Sequence, residues 1–423
     1  MSEWPATISQ LRNRIARGEI TPELAIERQR QKWRSDGLQW HCMVSLDPDP
    51  EPRPIGPLTG VTLAHKDIFD LPDRAPGLGL SAGTPDPKRQ RAAALNLLAK
   101  AGAQQSATLS MAPLACGATA QNPHFERVLN PIDPLLALGG SSSGSAAAVA
   151  AGLSYFSLGT DTAGSVRIPA ATCAILGLKT THGLIDTTGC APLSPSLDSI
   201  GILSRHVDDA RLALQILAPS LPASPASKPL RLRFWLPESG VSESVRSTLG
   251  EWTQSLQAAP CDLTSIISTC SIHAQRVLCH EVAQTHRAAL LNETADPAVQ
   301  SLGWLGLAMP DNWYHDSMNM RATLLKQFVH AAWEDADLLA LPALPLGVPD
   351  WDQVHTGQPR FEARQLLSLH HHMGFVNYLG LPALNLPVGL DERQRPVCVQ
   401  LLARPYAEHL LLDFARQQMP QPV

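Results

Sequence analysis

The sequence predicts an α/β fold on three grounds. Segments with helical spacing alternate with short apolar runs, the alternation lapses at a proline-punctuated stretch between about 216 and 230, and it resumes from residue 336 to the end. Between residues 6 and 34, Ile8, Leu11 and Ile15 and then Pro22 to Trp33 recur at helical spacing, with Gly18 and Thr21-Pro22 marking a stop and a restart. This predicts an amino-terminal helical hairpin. After a Pro/Asp-rich loop from Asp47 to Pro57, Gly60 to Ala64 is a short apolar, β-branched run suited to a buried strand, and His65-Lys66-Asp67 stands at its end.

Ala92 to Ala101 predicts a helix, whereas Pro113 to Pro134 shows no regular period, and a loop of that length in a compact fold is often functional. From Leu135 to Ile202 glycine, serine, threonine and alanine crowd together; within this stretch Ala146 to Ala151 reads as a small-residue helix, and Tyr155 to Leu158 and Ala174 to Leu178 as strands. Pro219, Pro222, Pro225 and Pro229 punctuate a Ser/Ala linker. Residues 231 to 335 then read as a strand followed by helices, among them Val277 to Leu291 and Met318 to Trp333. Strand and helix alternate again through Ala336 to Leu341, His370 to Leu379, Ala383 to Pro387 and Val397 to Leu402, closing on a helix from Glu408 to Gln417. There is no internal repeat.

A chain of 423 residues suits either two or three domains or one large sheet wrapped by helices, and 44% apolar residues supply an ample core. Only 17% of residues are charged, the net charge is -5 and the pI is near 6.3, so no basic surface recommends nucleic acid or an anionic membrane. A small, neutral or weakly charged ligand fits better. The eight cysteines form no Cys-x-x-Cys pair and no zinc-spaced set, and read as small buried residues in a reducing compartment. The amino terminus lacks a basic stretch followed by an apolar run, and nowhere are 18 apolar residues contiguous, so a soluble cytoplasmic protein is expected.

Gly139 to Ser145 reads Gly-Gly-Ser-Ser-Ser-Gly-Ser. A flexible linker is disfavoured by the alanine-rich helix that follows at once, and a phosphate-cradling loop by the lack of a following Gly-Lys-Ser/Thr. Gly140 to Gly144 also satisfies Gly-x-Ser-x-Gly, the nucleophile elbow, which would make Ser142 the nucleophile with Asp198 and His280 or His409 as nominal partners. A second serine site competes with it. Gly159 to Pro169 runs Gly-Thr-Asp-Thr-Ala-Gly-Ser-Val-Arg-Ile-Pro, in which small residues before Ser165 allow successive amides to turn toward one point, as oxyanion stabilisation in acyl transfer requires.

Taken together, these strings, with Gly177-Leu-Lys, Leu197-Asp198, Arg205, the Gly60 to Asp67 strand and the segments 337–342, 377–387 and 396–401, resemble the amidase signature family over most of the chain. The resemblance implies that family's fold, a large mixed sheet sandwiched between layers of helices, as one domain over 1–423. Its parts would be an N-terminal helical segment (1–58), a signature core (59–215), a variable substrate-pocket region (230–335) and a return to the core sheet (336–423). It implies Ser165 as nucleophile, Ser141 as bridging serine after a cis Gly140–Ser141 peptide, and Lys66 as base. The backbone amides of Thr162, Ala163, Gly164 and Ser165 would form the oxyanion hole, with Ser142, Asp161 and Arg167 in support. Asp161 and Arg167 are expected to brace the loop rather than touch substrate.

Lysine is a poor base at its ordinary pKa near 10.4, but desolvation at a buried strand end would free a neutral amine to act through Ser141 on Ser165. No metal or cofactor is required. Two positions depart from the family pattern: Ser143 stands where glycine is usual, and Ala163 where the first glycine of Gly-Gly-Ser is common. Trp304, Trp313 and Tyr314 lie where the family builds its acyl pocket. His370-His371-His372 read as surface or pocket-rim residues rather than metal ligands.

The implied reaction is hydrolysis of a linear carboxamide or related C–N bond, with a small-molecule amide as the partner, no nucleic acid or membrane, and a homodimer as a compatible assembly. Two alternatives stand beside it. One is the glutaminase subunit of an amidotransferase working with a partner protein, against which the lack of a basic surface and the short middle region argue. The other is an allophanate or urea-derivative hydrolase, a branch that Thr-Asp-Thr-Ala-Gly-Ser resembles, although the chain is too short for that branch's extra carboxy-terminal domain.

Overall fold

Thirteen strands follow one another in the computed structural model, which describes residues 4–46, 53–222 and 230–419. They are β1 (Met43–Leu46), β2 (Thr62–Lys66), β3 (Arg74–Ala75), β4 (Thr84–Pro85), β5 (Gln104–Leu109), β6 (Phe156–Asp161), β7 (Leu176–Lys179), β8 (Ser199–Ser204), β9 (Leu232–Phe234), β10 (Ala259–Pro260), β11 (Leu338–Pro342), β12 (Ala383–Leu390) and β13 (Pro396–Leu402). β3 and β4 form a small hairpin, and the other eleven join one mixed sheet in the order β1-β5-β2-β6-β8-β7-β12-β13-β11-β9-β10. The α/β class and the large mixed sheet are as the sequence predicts.

Both faces of the sheet are covered. On β11, Leu338 and Ala340 enter one apolar core with Leu214 and Phe414, while Leu339 and Leu341, pointing the other way, enter a second with Phe328 and Phe375. Every residue of β2, β6, β8 and β13 is buried, and polar ones among them, such as Lys66, Ser157, Asp161 and Gln400, are hydrogen-bonded inside the protein. The tail does return to the sheet, as β12 and β13 pair antiparallel from Ala383↔Leu402 to Leu390↔Pro396.

The central strands set the position of the candidate site. β2 runs parallel to β6, with Ala64 beside Ser157 and His65 beside Leu158, so the carboxyl ends of both strands open on the same edge of the sheet. That edge is where ligands bind in open α/β sheets. Lys66 ends β2 and Asp161 ends β6. Packed against both strands is the helix Ser143–Ala150, whose residues Ser143 to Val149 are all buried; only side chains this small allow a helix to lie that close to its neighbours.

Several boundaries shift relative to the sequence reading. The strand expected over 60–64 starts at Thr62 and carries Lys66 inside it, and the small-residue helix begins at Ser143 rather than Ala146. Of the alternating segments after 336, 370–379 is built of turns and the short helix Gly374–Tyr378. β5 is invisible to an apolar-run criterion because four of the six residues from Gln104 to Leu109 are polar. It is buried nonetheless, since Gln105 Nε2 reaches the carbonyl of Ala107 (3.2 Å) and the His65 ring (2.9 Å), and Thr108 Oγ1 accepts from Arg74 (2.8 Å). Part of the Pro/Asp-rich loop (47–52) and of the linker (223–229) lies outside the described residues. All eight cysteines are free, and burial raises every thiol, Cys42, Cys173, Cys190 and Cys398 among them to about 12.

Gly144, near the start of that buried helix, shows how tightly it is seated. A β-carbon there would lie 2.6 Å from each of the Cys42 carbonyl oxygen, the Ser110 nitrogen and the Ser110 oxygen, all backbone atoms that cannot rotate away. Gly144→Ala is therefore expected to destabilise the protein by about 1–3 kcal/mol through overpacking. Chemical denaturation should show a lower midpoint at unchanged slope.

Candidate active site

Lys66 is fully buried, and its Nζ donates to Ser141 Oγ at 2.7 Å and to Thr160 Oγ1 at 2.9 Å. Burial dominates its titration: removing the ammonium from water lowers the pKa to about 7, and the opposing pull of Asp198 and Asp161 does not restore the ordinary value. The site thus holds an amine that is substantially neutral near pH 7, with two hydroxyls as its hydrogen-bonding partners.

Ser141 is presented by the Gly139 to Ser145 loop, whose Gly140–Ser141 peptide is cis, as the family resemblance implies. Gly140 has no room for a side chain, because a β-carbon would meet the Thr119 carbonyl oxygen at 2.3 Å. The loop is fixed by Gly140 N–H to Ala118 O (2.8 Å), Ala112 N–H to Ser141 O (3.1 Å) and Ser142 N–H to Ser165 O (3.1 Å). The last of these ties the two serine loops to each other through the backbone rather than through their hydroxyls. Ser142 Oγ donates to the Thr160 carbonyl at 3.3 Å and is wholly buried. The elbow reading's histidines lie elsewhere: His280 stacks on Tyr314 at 4.1 Å, and His409 sits on the last helix, Glu408–Gln418.

Asp161 organises the loop that carries Ser165. Its Oδ1 accepts from Gly164 N–H (2.9 Å) and Arg167 Nη2 (2.7 Å), and its Oδ2 from Val166 N–H (3.1 Å) and Arg167 Nε (3.0 Å). Both side chains are completely buried. Burial alone would raise the Asp161 carboxyl, but the charge and hydrogen bonds of Arg167 outweigh it and hold the group well below the usual carboxylate range. Arg167 in turn reaches Asn377 Oδ1 (2.6 Å), Met373 O (3.3 Å) and Gln400 Oε1.

Of the four amides expected to receive an oxyanion, that of Gly164 is already committed to Asp161, which leaves Thr162, Ala163 and Ser165. Gly164 adopts φ of 112°, a conformation that L side chains rarely take, and a β-carbon there would strike Ile168 and Met373 at 2.8 Å. Ser165 retains 9% exposure whereas Lys66 and Ser141 retain none, so Ser165 is the member of the three that faces solvent. The backbone of Ala163 is hydrogen-bonded to the ring of His370, whose pKa is lowered by desolvation.

The other sequence candidates separate. Tyr314 donates to Glu281 Oε1 (3.0 Å), Glu281 Oε2 accepts from Ser194 Oγ (2.6 Å), Ser194 N–H donates to Asp198 (3.1 Å), and Asp198 accepts from Thr162 Oγ1 (2.6 Å). Tyr314 is thereby wired to the loop that carries Ser165. Trp304 and Trp313 are surface residues, 46% and 44% exposed, the latter beneath Arg276. The expectation of surface or rim positions for the three histidines fails for His372, which is 1% exposed and lowered to about 4 by burial, with its ring on the Pro342 carbonyl (2.9 Å).

Sequence reasoning gave no role to Thr160, Asn377 or Gln400. Their signal lies in strings already quoted, Gly-Thr-Asp-Thr and the 377–387 and 396–401 segments, where an amide or hydroxyl interrupts an otherwise apolar run. A second buried lysine, Lys179, is also lowered to about 7 by burial, but its Nζ donates to the carbonyls of Thr180 (2.7 Å) and Leu381 (2.9 Å).

Two stability measurements follow. Arg167→Met leaves Asp161 charged, buried and unpaired, and is expected to cost about 3–5 kcal/mol in denaturant unfolding. For Lys66 the folded pKa lies below the unfolded one, so the unfolded chain binds the extra proton and stability falls as pH drops from about 10.4 to about 7. Lys66→Met should remove one of the two lysine contributions to that slope, read from unfolding midpoints across this window.

Comparison with known proteins identifies the family. The amidase family model matches residues 46–254 and 253–412. AtzE, which is part of the 1-carboxybiuret hydrolase of Pseudomonas sp. (strain ADP), is 30% identical over 84% of this chain and 82% of its own length. One component of the glutamyl-tRNA(Gln) amidotransferase of Moorella thermoacetica is 29% identical over 85% of this chain and 82% of its own. A crystal structure of an amidase superposes with a TM-score of 0.86 at 28% identity, covering 97% of this chain and 98% of that one. With a matched model over most of its length and a shared sheet, the chain belongs to the amidase family and is a hydrolase of carbon–nitrogen bonds in amides.

Proposed function

We propose that the protein hydrolyses a linear carboxamide to a carboxylic acid and ammonia or an amine through an acyl-enzyme on Ser165. The observation that carries this reading is the buried Lys66 amine 2.7 Å from Ser141 Oγ, one loop contact away from the solvent-facing Ser165. Neutral Lys66 takes the Ser141 proton as Ser141 takes that of Ser165, and Ser165 Oγ bonds to the amide carbonyl carbon. The amides of Thr162, Ala163 and Ser165 receive the negative oxygen, held in place by Asp161 and Arg167. The proton returns through Ser141 to the nitrogen, the C–N bond breaks, and water then attacks the acyl carbon by the same relay. Free Ser165 and a carboxylate result.

Two features give the relay its direction. Lys66 donates to hydroxyls, which can both give and accept a proton, and Thr160 holds the amine on line without competing for the substrate. Asp198, raised to about 6 chiefly by burial, accepts from Thr162 and so fixes the wall of the oxyanion site from the side. A second reading, favoured by the 30% identity to a carboxybiuret hydrolase component, is that the scissile bond belongs to a urea derivative. A third, glutaminase action within an amidotransferase, has the 29% identical amidotransferase component in its favour.

Hydrolysis of a panel holding an aliphatic carboxamide, L-glutamine and biuret separates the three. Ser165→Ala is expected to lower kcat by about 10³-fold or more, and hydroxylamine should trap the acyl group as a hydroxamate from the wild type alone. If Ser142→Ala were the inactive variant and Ser165→Ala active, the assignment fails. Activity should rise with pH through about 7 as the Lys66 amine loses its proton. In Lys66→Ala that limb should disappear together with about 10²–10⁴-fold of the rate.

A further inference from the structure

A cavity of about 300 Å³ lies between the amino-terminal segment, the helix Pro22–Asp36 and the turn that leads into β6. That volume is at the lower end of those that hold small-molecule ligands. Three cations line it, Arg28, Lys32 and Arg205, beside the aromatic rings of Trp4 and Tyr155, and no lining residue is acidic. None of the three is ion-paired among the described residues. Their hydrogen bonds go to carbonyls instead: Lys32 Nζ to Gly152 (3.0 Å), and Arg205 Nη1 to Ser154 (3.0 Å) and Val149. Arg28 lies over the Trp4 ring, 5.8 Å from its centre.

The cations converge. A side chain at Gly152 would begin 3.2 Å from Lys32 Nζ and 3.7 Å from Arg205 Nη1, so both charges stand around one point that only glycine, at φ of 70°, leaves clear. Charges this close repel, and the Lys32 amine is lowered first by burial and then by Arg205. The nearest carboxylates sit outside the cavity lining. Asp36 acts on Lys32 from within its own helix, and Asp209, which acts on Arg205, has Oδ1 on the Ile8 amide at 2.9 Å. A cluster of like charges around a half-open cavity with no anion in its lining is a site short of a negative partner.

We propose that this cavity binds a compact polyanion bearing phosphate or carboxylate groups, at a site separate from the amidase centre. Arg28 and Lys32 supply the charge, Arg205 closes the inner end, and Trp4 and Tyr155 flank the ligand. The position has a structural consequence. The turn Gly152 to Tyr155 joins the far end of the helix that presents Ser141 to the beginning of β6. Gln29, also in the lining, donates to Gly60 O (2.7 Å) and accepts from Thr62 N–H (3.1 Å) at the start of β2, the strand that ends in Lys66. An anion here tightens the ends of these elements opposite the catalytic edge, and should appear as stabilisation of the native state rather than competition with substrate.

The test is titration of the full-length protein with inorganic pyrophosphate, and separately with citrate, at an ionic strength held constant with sodium chloride. Calorimetry should show saturable one-site binding, and the thermal midpoint should climb with ligand concentration. Arg28→Gln and Arg28→Gln/Lys32→Gln should weaken binding, the double variant by about tenfold or more, while amide hydrolysis without added anion stays at the wild-type rate. Since Arg28 is exposed and anchors no backbone, the single variant reports on binding whatever Lys32 contributes to folding. The proposal is overturned if sodium chloride alone reproduces the midpoint shift, if both variants bind as the wild type does, or if either anion competes with the amide substrate.

Discussion

The arrangement at the sheet edge depends on one ion pair that water never reaches. Asp161 and Arg167 are six residues apart, both fully buried, and between them they engage the amides of Gly164 and Val166, the side chains of Asn377 and Gln400, and the carbonyl of Met373. A buried pair of charges is not in itself a stabilising device, because desolvation offsets much of the attraction. Its value here is geometric. With both oxygens of the carboxylate occupied, the turn from 161 to 167 has one set of partners and hence one shape, and the amides of Thr162, Ala163 and Ser165 are left to point elsewhere.

The two buried lysines show why burial alone does not make a base. Lys66 and Lys179 sit at the ends of β2 and β7, and burial lowers both by a similar amount. Lys179 donates to two carbonyl oxygens, which have no proton to exchange, and so it serves to fasten β7 to the turn before β12. Lys66 donates to two hydroxyls, and a hydroxyl can pass a proton on. In the proposed mechanism, the difference between a fastening and a relay lies in the acceptor atoms, not in the amine.

Much of the fold was legible because its strands are buried on both faces and write themselves as apolar runs; β2, β6, β11, β12 and β13 start at or within two residues of where the sequence places them. β5 escaped because its polar side chains are satisfied by partners far away in sequence, Arg74 and His65, which no local pattern announces. The same holds at the site. Glycine and serine density marked the two loops, but the engagement of the Gly164 amide by Asp161, the links from Arg167 to Asn377 and Gln400, and the exposure of Trp304 and Trp313 are facts of tertiary contact, some of them across about two hundred residues of chain. Composition cannot encode a partner that far away.

The eight free thiols, none of which belongs to the proposed proton relay, have a bearing on redox chemistry. Oxidation and alkylation of cysteine proceed through the thiolate, and burial keeps each of these sulfurs protonated at neutral pH. The proton relay proposed for this amide hydrolase runs over oxygen and nitrogen, so peroxide acting on cysteine thiolates would find none of the proposed relay atoms to oxidise. Labelling reagents could be chosen on the same basis, since a hard electrophile directed at the Ser165 hydroxyl, the proposed nucleophile, meets little competition from sulfur.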